Sequence, residues 1–244
     1  MTFCLGIKVR EGVVALADTQ IVRGNERVSK QKLAALDLAQ QPLFTMTSGL
    51  RSVRDKTLTY LNEELGRQTV PCDQVYRIVN MFGEQLRKVR VEDGAALAGS
   101  NLSFNTHAII GGCLTGDLEP QLYFVYPEGN WIEAATDSPY FIAGRTSYGK
   151  PILDRLLTYE TPIRQAVALA LLAFDATRMS VTDVDCPMDM AVIPRDERRA
   201  TFHRFAQNEI SQVTQWWGQA LSDALAAMPM DWTNSLFPRT VPHT

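Results

Sequence analysis

The chain has 244 residues, a length that suits one large hydrophobic core with appendages, because single cores stop growing only beyond roughly 250–300 residues. Hydrophobic residues at 45% and charged residues at 21% are ordinary globular usage and exclude an intrinsically disordered chain. A formal net charge of −3 with scattered Lys and Arg excludes the concentrated basic face that phosphate recognition needs, so nucleic acid is not an expected partner.

The first fifty residues alternate strand-like runs with turn signals, at 2–9, 13–17, 32–38 and 43–47, with Glu11-Gly12 between the first two and a polar stretch after the second. They predict one antiparallel meander. A helix is predicted over 51–65, and Val70-Pro71 introduces a second over 73–91 with Val75, Ile78, Val79, Phe82 and Leu86 on one face. Short strands return at 107–113, 121–126, 131–135 and 140–143, separated by Thr115-Gly116-Asp117 and Glu128-Gly129-Asn130, and predict a second sheet. Helical periodicity resumes over 147–157 and 163–177, the latter after Thr161-Pro162, and two last strands follow at 190–193 and 201–205.

Two antiparallel sheets packed face to face, with a helix pair on each outer side, would bury every one of these faces. The predicted fold class is therefore α+β, a four-layer αββα sandwich over residues 1–207. From 208 to 244 the chain is a separate helical extension, in which Ile210, Val213, Trp216, Trp217, Leu221 and Leu225 recur at helical spacing before Pro229. That stripe predicts a docking helix.

The opening lacks a basic segment leading into an apolar stretch and a small-residue cleavage site, and no apolar run approaches the roughly 18 residues of a membrane helix. A cytoplasmic protein without a membrane partner is expected. Cys4, Cys72, Cys113 and Cys186 form no CxxC pair, so neither a disulfide framework nor a zinc site is indicated, and they read as small buried hydrophobes. His107, His203 and His243 lie near no Gly-x-Ser-x-Gly elbow and at no metal spacing, which argues against histidine catalysis.

Met1-Thr2-Phe3-Cys4-Leu5-Gly6-Ile7, with Ala15-Leu16-Ala17-Asp18-Thr19 and Lys32-Leu33 downstream, resembles a proteasome β subunit. The opening is particularly similar to the bacterial branch called Anbu. Ile142-Ala143-Gly144, the run from Ser147 to Asp154, Ala176-Thr177-Arg178 and the Trp216-Trp217 pair extend the similarity over essentially the whole chain. The resemblance implies the N-terminal-nucleophile hydrolase fold and a threonine peptidase acting on peptides or unfolded protein. It also implies self-assembly into a ring or open washer, and it leaves room for an ATPase partner.

On that reading the nucleophile is Thr2, exposed as the first residue when Met1 is removed. A threonine hydroxyl needs a base, and the free amine of the same residue can supply one, with a reference pKa of about 7.7–8.0. An ammonium nearby would stabilise the developing negative charge. Lys30 and Lys32 would share one face of an alternating strand, with Leu33 turned to the core, and the resemblance favours Lys32. Asp18, at the end of an apolar strand, is the carboxylate that would hold that lysine. Gly49, in Thr47-Ser48-Gly49-Leu50 at a strand-to-helix junction, offers a backbone N–H for the oxyanion.

Two later motifs depart from the family's pattern. A Gly-Ser-Gly is replaced by Gly144-Arg145-Thr146-Ser147, so Arg145 stands at the usual serine position unless Ser147 substitutes. The usual Arg-Asp-x-x-Ser-Gly-Gly reads Arg178-Met179-Ser180-Val181-Thr182-Asp183, with aspartate and serine exchanged between Ser180 and Asp183. The mechanism expected of Thr2, Asp18, Lys32 and Gly49 uses no metal or organic cofactor. Two other functions are compatible with the same residues: a noncatalytic or weakly active self-assembling subunit, and an amidase acting on a small metabolite.

Overall fold

A computed structural model describes residues 2–23, 26–36, 42–68 and 72–237. In chain order its first half contains β1 (Phe3–Val9), β2 (Gly12–Asp18), β3 (Gln20–Arg23), β4 (Glu26–Ser29), β5 (Leu33–Ala35), β6 (Leu43–Ser48), α1 (Arg51–Arg67) and α2 (Val75–Gly99). The second half contains β7 (His107–Gly112), β8 (Gln121–Val125), β9 (Trp131–Glu133), β10 (Tyr140–Gly144), α3 (Lys150–Leu156), α4 (Ile163–Ser180), β11 (Met188–Pro194), β12 (Thr201–Phe205) and α5 (Gln207–Ala226). Met1, the end of the predicted strand 32–38, the Val70-Pro71 junction and His243 lie outside the described residues.

β1 and β2 are buried at every position, so they need cover on both faces and a neighbour on each edge. The sheet that supplies the neighbours runs β10-β1-β2-β11-β12, antiparallel throughout, with Phe3 opposite Gly144 and Cys4 opposite Ala17. The other large sheet runs β5-β6-β7-β8-β9, also antiparallel. The predicted meander is therefore corrected, because the first fifty residues are divided between two sheets, β1 and β2 in one and β5 and β6 in the other. Alternation locates strands, but strand partners are chosen by burial on both sides. A further hairpin, β3 with β4, occupies the stretch read as merely polar. Glu26 to Ser29 are all exposed and so carry no apolar face to announce a strand.

The two large sheets face each other across a layer built from small residues on one side and large ones on the other. Cys4, Ala15, Ala17, Ala143 and Ala191 meet Phe44, Met46, Ile109 and Leu122, all buried. At Gly6 an added Cβ would stand 2.9 Å from both Ile109 Cγ2 and Leu122 Cδ1, so the close approach depends on glycine there.

On the outer side of the β5–β9 sheet, α1 and α2 bury Val53, Leu61, Val75, Ile78, Val79, Phe82 and Leu86 against Ala108, Ile110, Tyr123 and Val125. On the outer side of the other sheet, α4 packs on β1 and β2, with Phe3 and Phe174 at 6.2 Å between ring centroids, and α3 packs on α4. These are the four layers of the αββα sandwich. α2 continues eight residues past the predicted end, to Gly99. Ala95, Ala96 and Ala98 favour helix by propensity where no buried stripe requires it.

The chain divides into two compact units after Gln207. In the second, α5 carries the predicted stripe on one helix, yet Trp216 is 62% and Leu225 is 68% exposed, and Val213 and Leu221 are exposed as well. Among the described residues, no helix is long and apolar enough to cross a membrane.

Candidate active site

Thr2 sits at the head of β1, where the sheet itself fixes its backbone. Its carbonyl accepts a hydrogen bond from the Arg145 N–H at 2.8 Å, just past β10. Gly144, at φ +95, makes this possible, since a Cβ there would stand 1.9 Å from the Thr2 carbonyl oxygen. The residue that ends β10 must therefore be glycine for the backbone of Thr2 to pair there.

Asp18 ends β2 beside that start and is fully buried. Its Oδ1 accepts from the Phe3 N–H at 2.8 Å and its Oδ2 from the Gln20 N–H at 3.0 Å. Lys32 Nζ donates to both oxygens, at 2.8 and 2.7 Å, and to the Gln20 carbonyl at 2.7 Å. One carboxylate thus ties the first residues of β1 to the lysine. Burial raises the Asp18 carboxyl above its ordinary value, against the pull of the Lys32 ammonium and the two N–H donors. A buried ion pair is a poor way to gain stability, because desolvation offsets the attraction. Its presence next to a cavity points to chemistry.

Strand alternation predicts Lys30 and Lys32 on one face. That is corrected: residues 30–32 are not in a strand, Lys30 is exposed, and only Lys32 turns inward, just before β5. Lys32, Thr2 and Gly49 all border a cavity of about 410 Å³, together with Thr47, Ser48, Leu50, Arg51, Arg54, Asn105 and Gly144. Gly49 has φ +123, and a Cβ on it would lie 2.7 Å from Thr106 Cα. Directly after it α1 begins, with no side-chain cap at Leu50, so the positive end of the helix faces this side of the site.

The remaining candidates lie apart or act through others. Ser147 is exposed and does not appear among the described residues that border the cavity. The Ser180 hydroxyl donates to the Ala176 carbonyl at 2.8 Å, one turn back in α4. Asp183 forms an ion pair with Arg145, at 2.9 Å from Nη2. Burial pushes the Asp183 carboxyl up, but the Arg145 hydrogen bonds and the positive charge around the group together hold it below the ordinary carboxylate value. Arg145 so joins Asp183 to the backbone of Thr2, a link that no local motif contains because the two side chains come from positions 38 apart. Arg51, Arg54 and Asn105 were not singled out from sequence either. The one available signal is that Arg51 and Arg54 follow Gly49 by two and five residues, in the first turn of the predicted helix.

Cysteine chemistry is disfavoured. Burial pushes all four thiols above their ordinary value, Cys186 to about 11, so each stays protonated near neutrality. Cys4 and Cys113 are buried as read from sequence, whereas Cys72 and Cys186 are half-buried. Among the described residues, no group of three or more His, Cys, Asp or Glu side chains is placed to hold a metal ion.

No protein-family model and no curated protein matches the sequence. Solved structures do match it. The ancestral β-subunit Anbu from Yersinia bercovieri is 27% identical, with a TM-score of 0.83, covering 93% of this chain and 97% of its own. Anbu from Hyphomicrobium sp. strain MC1 is 28% identical, with a TM-score of 0.82 and coverage of 93% and 98%. The Anbu complex from Pseudomonas aeruginosa, solved as a helical assembly, is 29% identical, with a TM-score of 0.85 and coverage of 93% and 97%.

Proposed function

We propose that this chain, which resembles the proteasome-like Anbu proteins over nearly its whole length and shares their N-terminal-nucleophile hydrolase fold, is a threonine peptidase acting through Thr2. The observation that carries the reading is the buried Asp18–Lys32 pair, bound to the Phe3 N–H, beside a cavity bordered by Thr2 and Gly49. The reading requires that Met1 be removed.

The Thr2 hydroxyl then attacks the carbonyl carbon of a peptide amide, and its proton passes to the Thr2 amine. Lys32 lowers the cost of the negative charge on the attacking oxygen, with Asp18 holding it in place. The tetrahedral oxyanion takes a hydrogen bond from the Gly49 N–H. Collapse breaks the C–N bond, the amine proton goes to the leaving nitrogen, and an ester on Thr2 remains. Water activated by the same amine hydrolyses that ester and frees the second product. Asp183 supports the arrangement at one remove, through Arg145 and the Thr2 carbonyl.

A panel that pairs fluorogenic peptides with small metabolite amides tests this function. Turnover confined to peptides is expected. Turnover confined to a metabolite amide would favour the amidase reading, and none with either would favour a noncatalytic subunit.

Self-assembly into a ring or open washer is part of the same proposal. Its support is the exposed apolar run of α5, since large exposed aromatic residues on a helix are characteristic of interface anchors. The helical assembly of the Pseudomonas aeruginosa relative points the same way. Truncation after Gln207 should give smaller particles by light scattering. An unchanged particle mass would remove the extension from the assembly.

A further inference from the structure

We infer that the cavity beside Thr2 selects substrates whose scissile carbonyl belongs to an acidic residue, with Arg51 and Arg54 receiving its carboxylate; this rests on the threonine-hydrolase reading. The first ground is the charge balance of the walls. Three cations border the cavity, Lys32, Arg51 and Arg54, and no aspartate or glutamate borders it among the described residues. Lys32 is committed to Asp18. The two arginines share a single carboxylate, that of Asp55, which Arg51 reaches through Nε at 3.1 Å and Arg54 through Nε at 2.8 Å and Nη2 at 2.6 Å. Two guanidinium groups against one carboxylate leave one positive charge. Each guanidinium has five N–H donors, more than these bonds use, so a second carboxylate can be accepted without displacing Asp55.

The second ground is that the arginines stand where a helix does not want them. Arg51 and Arg54 lie in the first turn of α1, which holds no acidic residue, whereas the positive end of a helix favours anions by about 0.3–1 kcal/mol per charge. Local sequence preference is broken here, and such breaks concentrate at functional sites. An incoming carboxylate would answer both the helix end and the surplus guanidinium charge.

Position along the chain identifies which substrate residue is read. The carbonyl oxygen under attack rests at the Gly49 N–H, and Arg51 follows two residues later, with Arg54 three beyond it on the same helix face. The side chain nearest that oxygen is the one borne by the residue that supplies the carbonyl. That residue stays bound in the ester on Thr2, while the leaving residue departs. A cavity of about 410 Å³ has room for a glutamate side chain.

The test uses full-length protein and four peptides that differ only in the residue before a coumarin leaving group: Glu, Gln, Leu or Lys. The Glu peptide should exceed its neutral isostere Gln by about tenfold in kcat/KM, the factor expected of one charge-assisted interaction. Arg54→Gln and Arg51→Gln, made separately, should bring that ratio below about threefold, and Arg54→Lys should retain more of it than Arg54→Gln. A wild-type Glu-to-Gln ratio near one, with cleavage that Thr2→Ala removes, overturns the acidic selectivity and leaves the peptidase reading standing. A ratio unchanged in both Gln variants overturns the assignment to these arginines. If no peptide is cleaved above the level of Thr2→Ala, the selectivity and the peptidase reading fall together.

Discussion

Thr2→Ala should lower peptide hydrolysis by at least about a thousandfold, because it removes the nucleophile and leaves only binding and the oxyanion donor. The fold should survive. Thr2 is held through its backbone, by the Arg145 N–H on its carbonyl, and the next residue is held by the Phe3 N–H on Asp18. Alanine preserves both bonds and gives up a hydroxyl and a methyl group. Circular dichroism and the thermal midpoint of the variant should match those of the wild type, so lost activity cannot be attributed to unfolding. Turnover retained in variant protein free of contaminating protease would refute Thr2 as nucleophile.

Lys32→Met has the second large effect, and it acts on two quantities at once. Methionine fills much the same volume but leaves the fully buried Asp18 without its cation, and breaking a buried pair costs about 3–5 kcal/mol. Turnover should fall by about a hundredfold or more, since the lost charge matters most while the alkoxide and oxyanion develop. The double variant Asp18→Asn with Lys32→Met separates the two effects. It removes the orphaned carboxylate, so thermal stability should recover in part while kcat stays low. If kcat recovers together with stability, Lys32 is a structural residue and no more. An effect on KM alone would also count against its proposed part in the chemistry.

The sequence made some of this legible for definite physical reasons. Asp18 was recognisable because a charged residue closes an otherwise apolar run, which in a buried strand demands a partner, and the structure gives it one in Lys32. Helices α1, α2 and α4 are readable from a stripe that a sheet face must cover. What stayed hidden depends on contacts between distant segments. Which strands pair follows from two-sided burial of β1 and β2, and no local pattern contains it. The inward turn of Lys32 away from Lys30 depends on a non-strand bend before β5. Arg145 and Asp183 meet over 38 positions of sequence, so a motif read position by position registered a missing serine where the fold has formed an ion pair. The β3–β4 hairpin lacks any buried residue over Glu26–Ser29 and so gave no period to detect.

Whether Thr2 acts with its own free amine is decided by mass spectrometry of the purified chain before and after treatment with a β-lactone, which acylates a nucleophilic hydroxyl by ring opening. The expected result is a chain that begins at Thr2, with one added acyl group that peptide sequencing maps to Thr2 and that accompanies complete loss of hydrolysis. An active protein that retains Met1, or one inactivated by an acyl group on a different residue, would contradict it.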